Sequence, residues 1–166
     1  MKLISMRQLT YKIMVVIALL FETTIAMTQQ KTDTAFDNKE IVRRQFNNWV
    51  NGSGNFFDLL AEDAEWTVAG ETAASGVYKS KKSFMEDAVK PITEKLSTRI
   101  APKLLGIYQD KNVVTLLWKG TATAKDNKPY KNTYCWILTM KAGKISKAVA
   151  FLDTHALHEL MTRVKK

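Results

Sequence analysis

The chain has 166 residues, 46% of them hydrophobic and 25% charged, and carries a formal net charge of +9 at neutral pH. That balance excludes a fibrous or disordered chain and suits one globular domain with a packed core. Cys135 is the only cysteine, which excludes an intramolecular disulfide and leaves the fold to stand on packing.

Lys2, Arg7 and Lys12 precede the apolar run from Ile13 to Phe21, and Thr24-Ile25-Ala26 follows as a candidate cleavage site. Residues 1–26 therefore read as an export signal, which predicts a periplasmic or secreted mature protein. An apolar run this short, at ~1.5 Å per residue, cannot cross a ~30 Å hydrocarbon core. An uncleaved interfacial anchor is the alternative. Cleavage takes away three bases and one acid and lowers the charge from +9 to +7. The remaining lysines are scattered and form no basic stripe interleaved with aromatics, so neither a nucleic-acid partner nor a membrane is expected for the mature chain.

Residues 27–36 are polar and aperiodic and read as a flexible tether. Asp37 then offers a helix cap with Glu40 three residues on, and Phe36 with Ile41 a hydrophobic staple. Ile41, Val42, Phe46, Trp49 and Val50 share one helical face, which predicts a helix from Asn38 to Asn51. Phe56 to Leu60 reads as a short helix and Ala64 to Val68 as a strand carrying Trp66. Val77-Tyr78 is a brief extended piece. From Ser80 a longer helix should bury Phe84, Met85, Ala88, Val89, Ile92 and Leu96, with a kink at Pro91. Four β-runs follow, about 98–109, 112–124, 130–140 and 144–153, separated by turns short enough for antiparallel hairpins. A helix over 154–164 closes the chain. Helices first and a meander afterwards predict an α+β domain with helices on one face of a curved antiparallel sheet.

Several short motifs recur in this order: LLAEDAEW, Gly76-Val77-Tyr78, Tyr130-x-Asn132-x-Tyr134, Gly143-Lys144-Ile145 and Phe151-Leu152-Asp153-Thr154. Over residues 37–164 their order and spacing resemble the SnoaL-like branch of the nuclear-transport-factor-2-like superfamily. The resemblance implies a cone, also described as a cystatin-like α+β roll, in which the sheet curls around the helices and leaves an apolar cavity. That superfamily holds ketosteroid isomerases, polyketide cyclases, epoxide hydrolases and binding domains without chemistry, so residues must decide the function.

The ketosteroid-isomerase constellation would fall near Phe46, Val68 and Trp136, none of which can move a proton. The arginine between two aspartates of limonene-epoxide hydrolases has no counterpart around Leu116, Leu117 and Trp118. The polyketide-cyclase aspartate matches Asp153 in one register and Ala150 in another; the second register leaves no catalyst. Asp153 can be a general base with His155 as its partner, or a structural acid that either caps the last helix or accepts bonds from Asn132 and Tyr134. His155 and His158 lie three apart, but no companion ligands support a metal site. Cys135 has no basic neighbour and reads as an inert thiol.

By the two-residue period of a strand, Tyr130, Asn132, Tyr134 and Trp136 share one face. If that face lines the cone, Asn132 and Tyr134 can hold a carbonyl or hydroxyl. Trp66, Phe84, Met85, Trp118 and Trp136 then supply an apolar wall. If it faces outward, it makes a sheet-to-sheet dimer. The expectation is an exported, cofactor-free, homodimeric domain that binds a small apolar organic molecule. The alternatives are an acid–base isomerase, cyclase or dehydratase using Asp153, and a protein-interaction domain using its exposed sheet face.

Overall fold

The computed structural model describes residues 37–72 and 74–165. The segments expected to be an export signal and a tether, and the staple residue Phe36, lie outside them.

Asp37 caps α1 (Asn38–Val50) by accepting from the Glu40 N–H at 3.1 Å. Glu40 turns to Arg43 at 3.5 Å rather than back to the cap. Val42 and Phe46 are the buried residues of this helix, with Ile41 and Trp49 packed beside them. Asn55 then caps a 3-10 turn (Phe56–Leu59) through a reciprocal pair of bonds with Asp58. That turn feeds directly into β1 (Leu60–Val68), so the strand begins four residues earlier than its sequence pattern suggested.

After the short β2 (Gly76–Tyr78), Ser80 caps a helical body, α2, built of Lys81–Phe84, Met85–Val89 and Lys90–Thr93. The middle segment is π-helical, and the Lys90 N–H donates to the Met85 carbonyl. A proline lacks the N–H for the next bond and its ring crowds the carbonyl four residues back. The widened π turn immediately before Pro91 relieves both conflicts, so the helix takes up a bulge where the sequence predicts a kink.

Strands β3 (Ala101–Asp110), β4 (Val113–Thr123), β5 (Pro129–Lys141) and β6 (Lys144–Leu152) form a meander, and α3 (Thr154–Arg163) follows. The curved, unclosed sheet has the order β2-β1-β6-β5-β4-β3. Its pairs are antiparallel except β1 with β6, which run parallel. Hairpin turns force antiparallel neighbours, whereas β1 and β6 are joined through α2 and three further strands, a connection long enough to permit the parallel pairing.

Burial alternates along β5, with Tyr130, Asn132, Tyr134, Trp136, Leu138 and Met140 all on the inner face. Opposite them on β4, Trp118 pairs with Tyr134 and Gly120 with Asn132. A Cβ on Gly120 would lie 2.8 Å from Ile100 and 3.0 Å from the Trp118 ring. The missing side chain is what lets those groups close over the strand. At the far end, Arg163 pairs with Asp126 and donates to the Pro129 carbonyl at 3.2 Å, tying α3 to the β4–β5 turn. The hydrogen bond from Arg163 is the main reason the Asp126 carboxyl sits below the usual carboxylate range.

The β5–β6 turn places Ala142 at φ 48° and Gly143 at φ 74°. Both central residues are left-handed, as a two-residue type I′ hairpin requires. Alanine bears a steric cost there of roughly 1 kcal/mol that glycine or asparagine largely avoids. Ala142→Asn is therefore expected to stabilise the domain by about 0.5–1 kcal/mol. A raised midpoint in urea unfolding is the expected reading; an unchanged or lowered one would contradict this account of the turn.

Candidate functional site

Between the inner face of the sheet and helices α1, α2 and α3 lies an open cavity of about 530 Å³. Its wall is aromatic because consecutive strands and helices each contribute rings to the same side. All four tryptophans of the chain line it: Trp49 from α1, Trp66 from β1, Trp118 from β4 and Trp136 from β5. Trp118 stacks on Tyr134 with ring centres 3.9 Å apart and planes 9° apart. Trp66 stacks on Phe84 at 4.3 Å. Trp136 stands edge-on to both Trp66 and Trp118, at 5.3 and 4.7 Å. Offset and edge-to-face rings hold one another in place, so the wall is stiff before any ligand arrives.

The floor is small. Ala88, Ala150 and Leu157 line it, and the low volume of the two alanines is what leaves space beneath the rings. The rim is polar and exposed: Gly54 and Asn55 follow α1, and residues 97–99 follow α2.

Two phenols enter the wall together. Tyr130 and Tyr134 share a hydrogen bond of 3.0 Å between their hydroxyl oxygens, and Asn132 donates to the Tyr130 hydroxyl at 3.0 Å. Burial pushes the Tyr134 phenol well above its usual 10.0, reinforced by the neighbouring Tyr130. Burial also raises Tyr130, against the bonds from Tyr134 and Asn132 that lower it. Both therefore stay protonated at neutral pH and act as hydrogen-bond donors and acceptors, not as bases.

The indole N–H groups of Trp66 and Trp118 are buried and meet no protein acceptor. Buried donors are usually paired, so two unpaired ones in a single wall are an uncommon feature of this core.

No protein-family profile and no curated protein matches the chain by sequence. Solved structures do match it in shape. An NTF2-like protein of Burkholderia thailandensis superposes with a TM-score of 0.63 at 18% identity, covering 75% of this chain and 97% of its own. A Mesorhizobium loti protein assigned to the SnoaL-like polyketide cyclases gives 0.55 at 18% identity, covering 67% of this chain and 95% of its own. TerC, co-crystallized with polyporic acid, gives 0.58 at 17% identity, covering 75% of this chain and 97% of its own. The chain has the NTF2-like fold.

Within this NTF2-like frame the sequence-predicted residues separate into two groups. Trp66, Phe84, Trp118, Tyr134 and Trp136 come together around the cavity. Asn132, Met85, Asp153 and His155 are placed elsewhere. Asn132 is buried, but it faces the chain itself: Nδ2 donates to the Asp153 carbonyl at 3.0 Å and Oδ1 accepts from the Asp153 N–H at 2.9 Å. With Tyr130 as its third partner, the amide is spent on structure. Met85 is half-buried against the core, one residue past the inward-pointing Phe84, and does not line the cavity.

Asp153 is exposed and caps α3, its carboxylate accepting from the Ala156 N–H at 3.0 Å. Its side chain is drawn to the helix end by orphan backbone donors, which is why it stands outside the cavity wall. His155 and His158 are exposed on α3, and among the described residues no cluster of His, Cys, Asp and Glu has metal-binding geometry. Of the two register readings, Ala150 is the residue that lines the cavity. Cys135 is free and half-buried on the opposite face of β5.

Arg99, Tyr130 and Trp49 line the cavity without having been singled out from sequence. Tyr130 and Trp49 carried a signal, one in its strand parity with Tyr134 and the other on the apolar face of α1. Arg99 falls in the β-run predicted over about 98–109, but the strand starts only at Ala101 and leaves Arg99 in the connection after α2, where no motif points to a site.

Proposed function

We propose that this chain is an exported NTF2-like protein that holds a small, largely apolar aromatic molecule in the cone without proton transfer. One observation carries the reading. Among the described residues, the cavity is lined by no carboxylate, imidazole, thiol or amine, and its phenols are held protonated. A cavity with stacked rings and no base suits binding, since general acid–base chemistry needs a group that can take the proton. The neighbour co-crystallized with polyporic acid supports an aromatic organic molecule as the class to test first.

The experiment is a titration with N-phenyl-1-naphthylamine, followed by tryptophan emission, since every tryptophan borders the cavity. Saturable quenching is expected. Ala150→Leu, which adds bulk to the floor, should weaken binding by about tenfold, or ~1.4 kcal/mol, without lowering the melting temperature. Asp153→Ala should bind as the parent does and lose only the cap, at a cost of about 1 kcal/mol. Absence of quenching, or identical binding in Ala150→Leu, would remove the basis for this reading.

The outer sheet face supports self-assembly as part of the same proposal. Leu117, Cys135 and Phe151 lie side by side across β4, β5 and β6, with Ile137 and Val149 in the next row. Leu117, Ile137 and Phe151 are 36–48% exposed, which makes a contiguous apolar patch suited to a second copy. Native mass spectrometry of the exported protein should read a dimer of chains lacking residues 1–26, and Phe151→Lys should return it to monomer. A full-length or monomeric parent would count against export or pairing respectively.

A further inference from the structure

We infer that the ligand is an aromatic oxyanion, a flat ring system with an anionic oxygen group that Arg99 holds at the cavity rim. This rests on the binding reading above and narrows its ligand class.

Among the described residues, Arg99 is the only charged one in the lining. It belongs to none of the ion pairs among the described residues. It is exposed and lies beside the end of α1. Gly52, with φ +72°, lies against the guanidinium, and a Cβ there would sit 2.9 Å from Nη2. The left-handed glycine that ends α1 thus makes room for the arginine to lie over it. A guanidinium presents a planar fork of donors that matches a carboxylate in geometry as well as charge.

The polar groups of the wall fit the same ligand. At the rim Asn55 Oδ1 accepts from the Phe57 N–H at 3.0 Å, and Thr98 Oγ1 from the Thr123 N–H at 2.9 Å. In the Tyr130–Tyr134 pair one phenol proton is left over, because two hydroxyls share a single mutual bond. An aromatic body suits the stacked rings, an acceptor oxygen suits the spare phenol proton, and negative charge suits Arg99. The net charge of +7 that remains without residues 1–26 favours approach of an anion over a cation.

The competing explanation is that Arg99 serves only the C-terminal end of α1, where a cation is favourable. 2-Naphthoate and 2-naphthamide separate the two, because they share a ring and differ in charge. Calorimetric titration of the parent at low salt should show naphthoate bound about tenfold more tightly, the size of one charge-assisted contact. Arg99→Gln should abolish that preference and leave the amide within about twofold of its parent affinity, while Arg99→Lys keeps part of it. The proposal is overturned if the parent shows no preference, if the preference survives Arg99→Gln, or if both compounds weaken equally in that variant. Binding of the amide alone would refute the anion and leave the cavity reading standing. Binding of neither naphthalene, together with no response to N-phenyl-1-naphthylamine, would take both down.

Discussion

Trp118→Ala should lower the stability of the domain by about 3–5 kcal/mol, the range for removing a buried tryptophan side chain. The residue is 1% exposed and is the hub of the aromatic wall. It meets Phe46 at 6.0 Å, Trp49 at 5.1 Å, Tyr134 at 3.9 Å and Trp136 at 4.7 Å between ring centres. Those partners come from α1 and β5, so one truncation loosens contacts that no single element can replace. Collapse into the void is restricted because the space beside it is already a cavity, held open by the sheet. For a domain of this size the melting temperature should fall by roughly 10–20 °C. A loss below about 1 kcal/mol would mean that the rings reorganise and that the wall is not preformed.

Asn132→Leu is the second variant with a large expected effect. The amide makes two bonds to the backbone of Asp153 and one to the Tyr130 hydroxyl. Leucine keeps much of the volume and removes all three. The Asp153 carbonyl and the Tyr130 hydroxyl then lose a donor, whereas the Asp153 N–H keeps a longer bond of 3.3 Å to the Thr133 carbonyl. The expected cost is about 2–4 kcal/mol, and it should be concentrated locally. Hydrogen exchange should accelerate in α3 ahead of the sheet, because the clamp joins β5 to the residue that caps this helix. Uniform acceleration throughout the domain would contradict a local role.

Asn132→Asp tests the same clamp through pH. A carboxyl group at this buried site is favoured in its protonated, hydrogen-bonding form, so its folded pKa would be raised above the unfolded value of about 3.9. The folded state then holds the proton more tightly. Stability relative to the parent should be best below about pH 4 and decline as pH rises through the folded pKa. A variant equally stable at pH 3 and pH 7 would show that the position is more solvated than the structure places it.

The pattern of elements was readable from the chain because it rests on local rules. Asp37, Asn51-Gly52 and the 3.6-residue recurrence of Val42 and Phe46 mark α1, and β-forming runs cut by Asp110-Lys111 and Ala142-Gly143 mark the meander. The inner face of β5 followed from parity once one residue was known to be buried. Even Pro91 announced an irregularity, although it took the form of a π turn before the proline rather than a kink.

What tertiary structure alone decided is which groups face the hollow. Asp153 is two residues from Phe151 and looked suited to a pocket, yet competition from the orphan N–H groups of α3 turned its carboxylate outward. Asn132 has the parity of a ligand contact, and long-range hydrogen bonds to a residue 21 positions away consumed it. Arg99 reads from sequence as part of a strand and belongs to no motif. It reaches the rim because α1 ends beside it in a left-handed glycine, a juxtaposition across almost fifty residues that pair spacing cannot encode. Local propensity and periodicity specify elements; the direction of a polar side chain is set by whichever partner, near or far in sequence, satisfies it best.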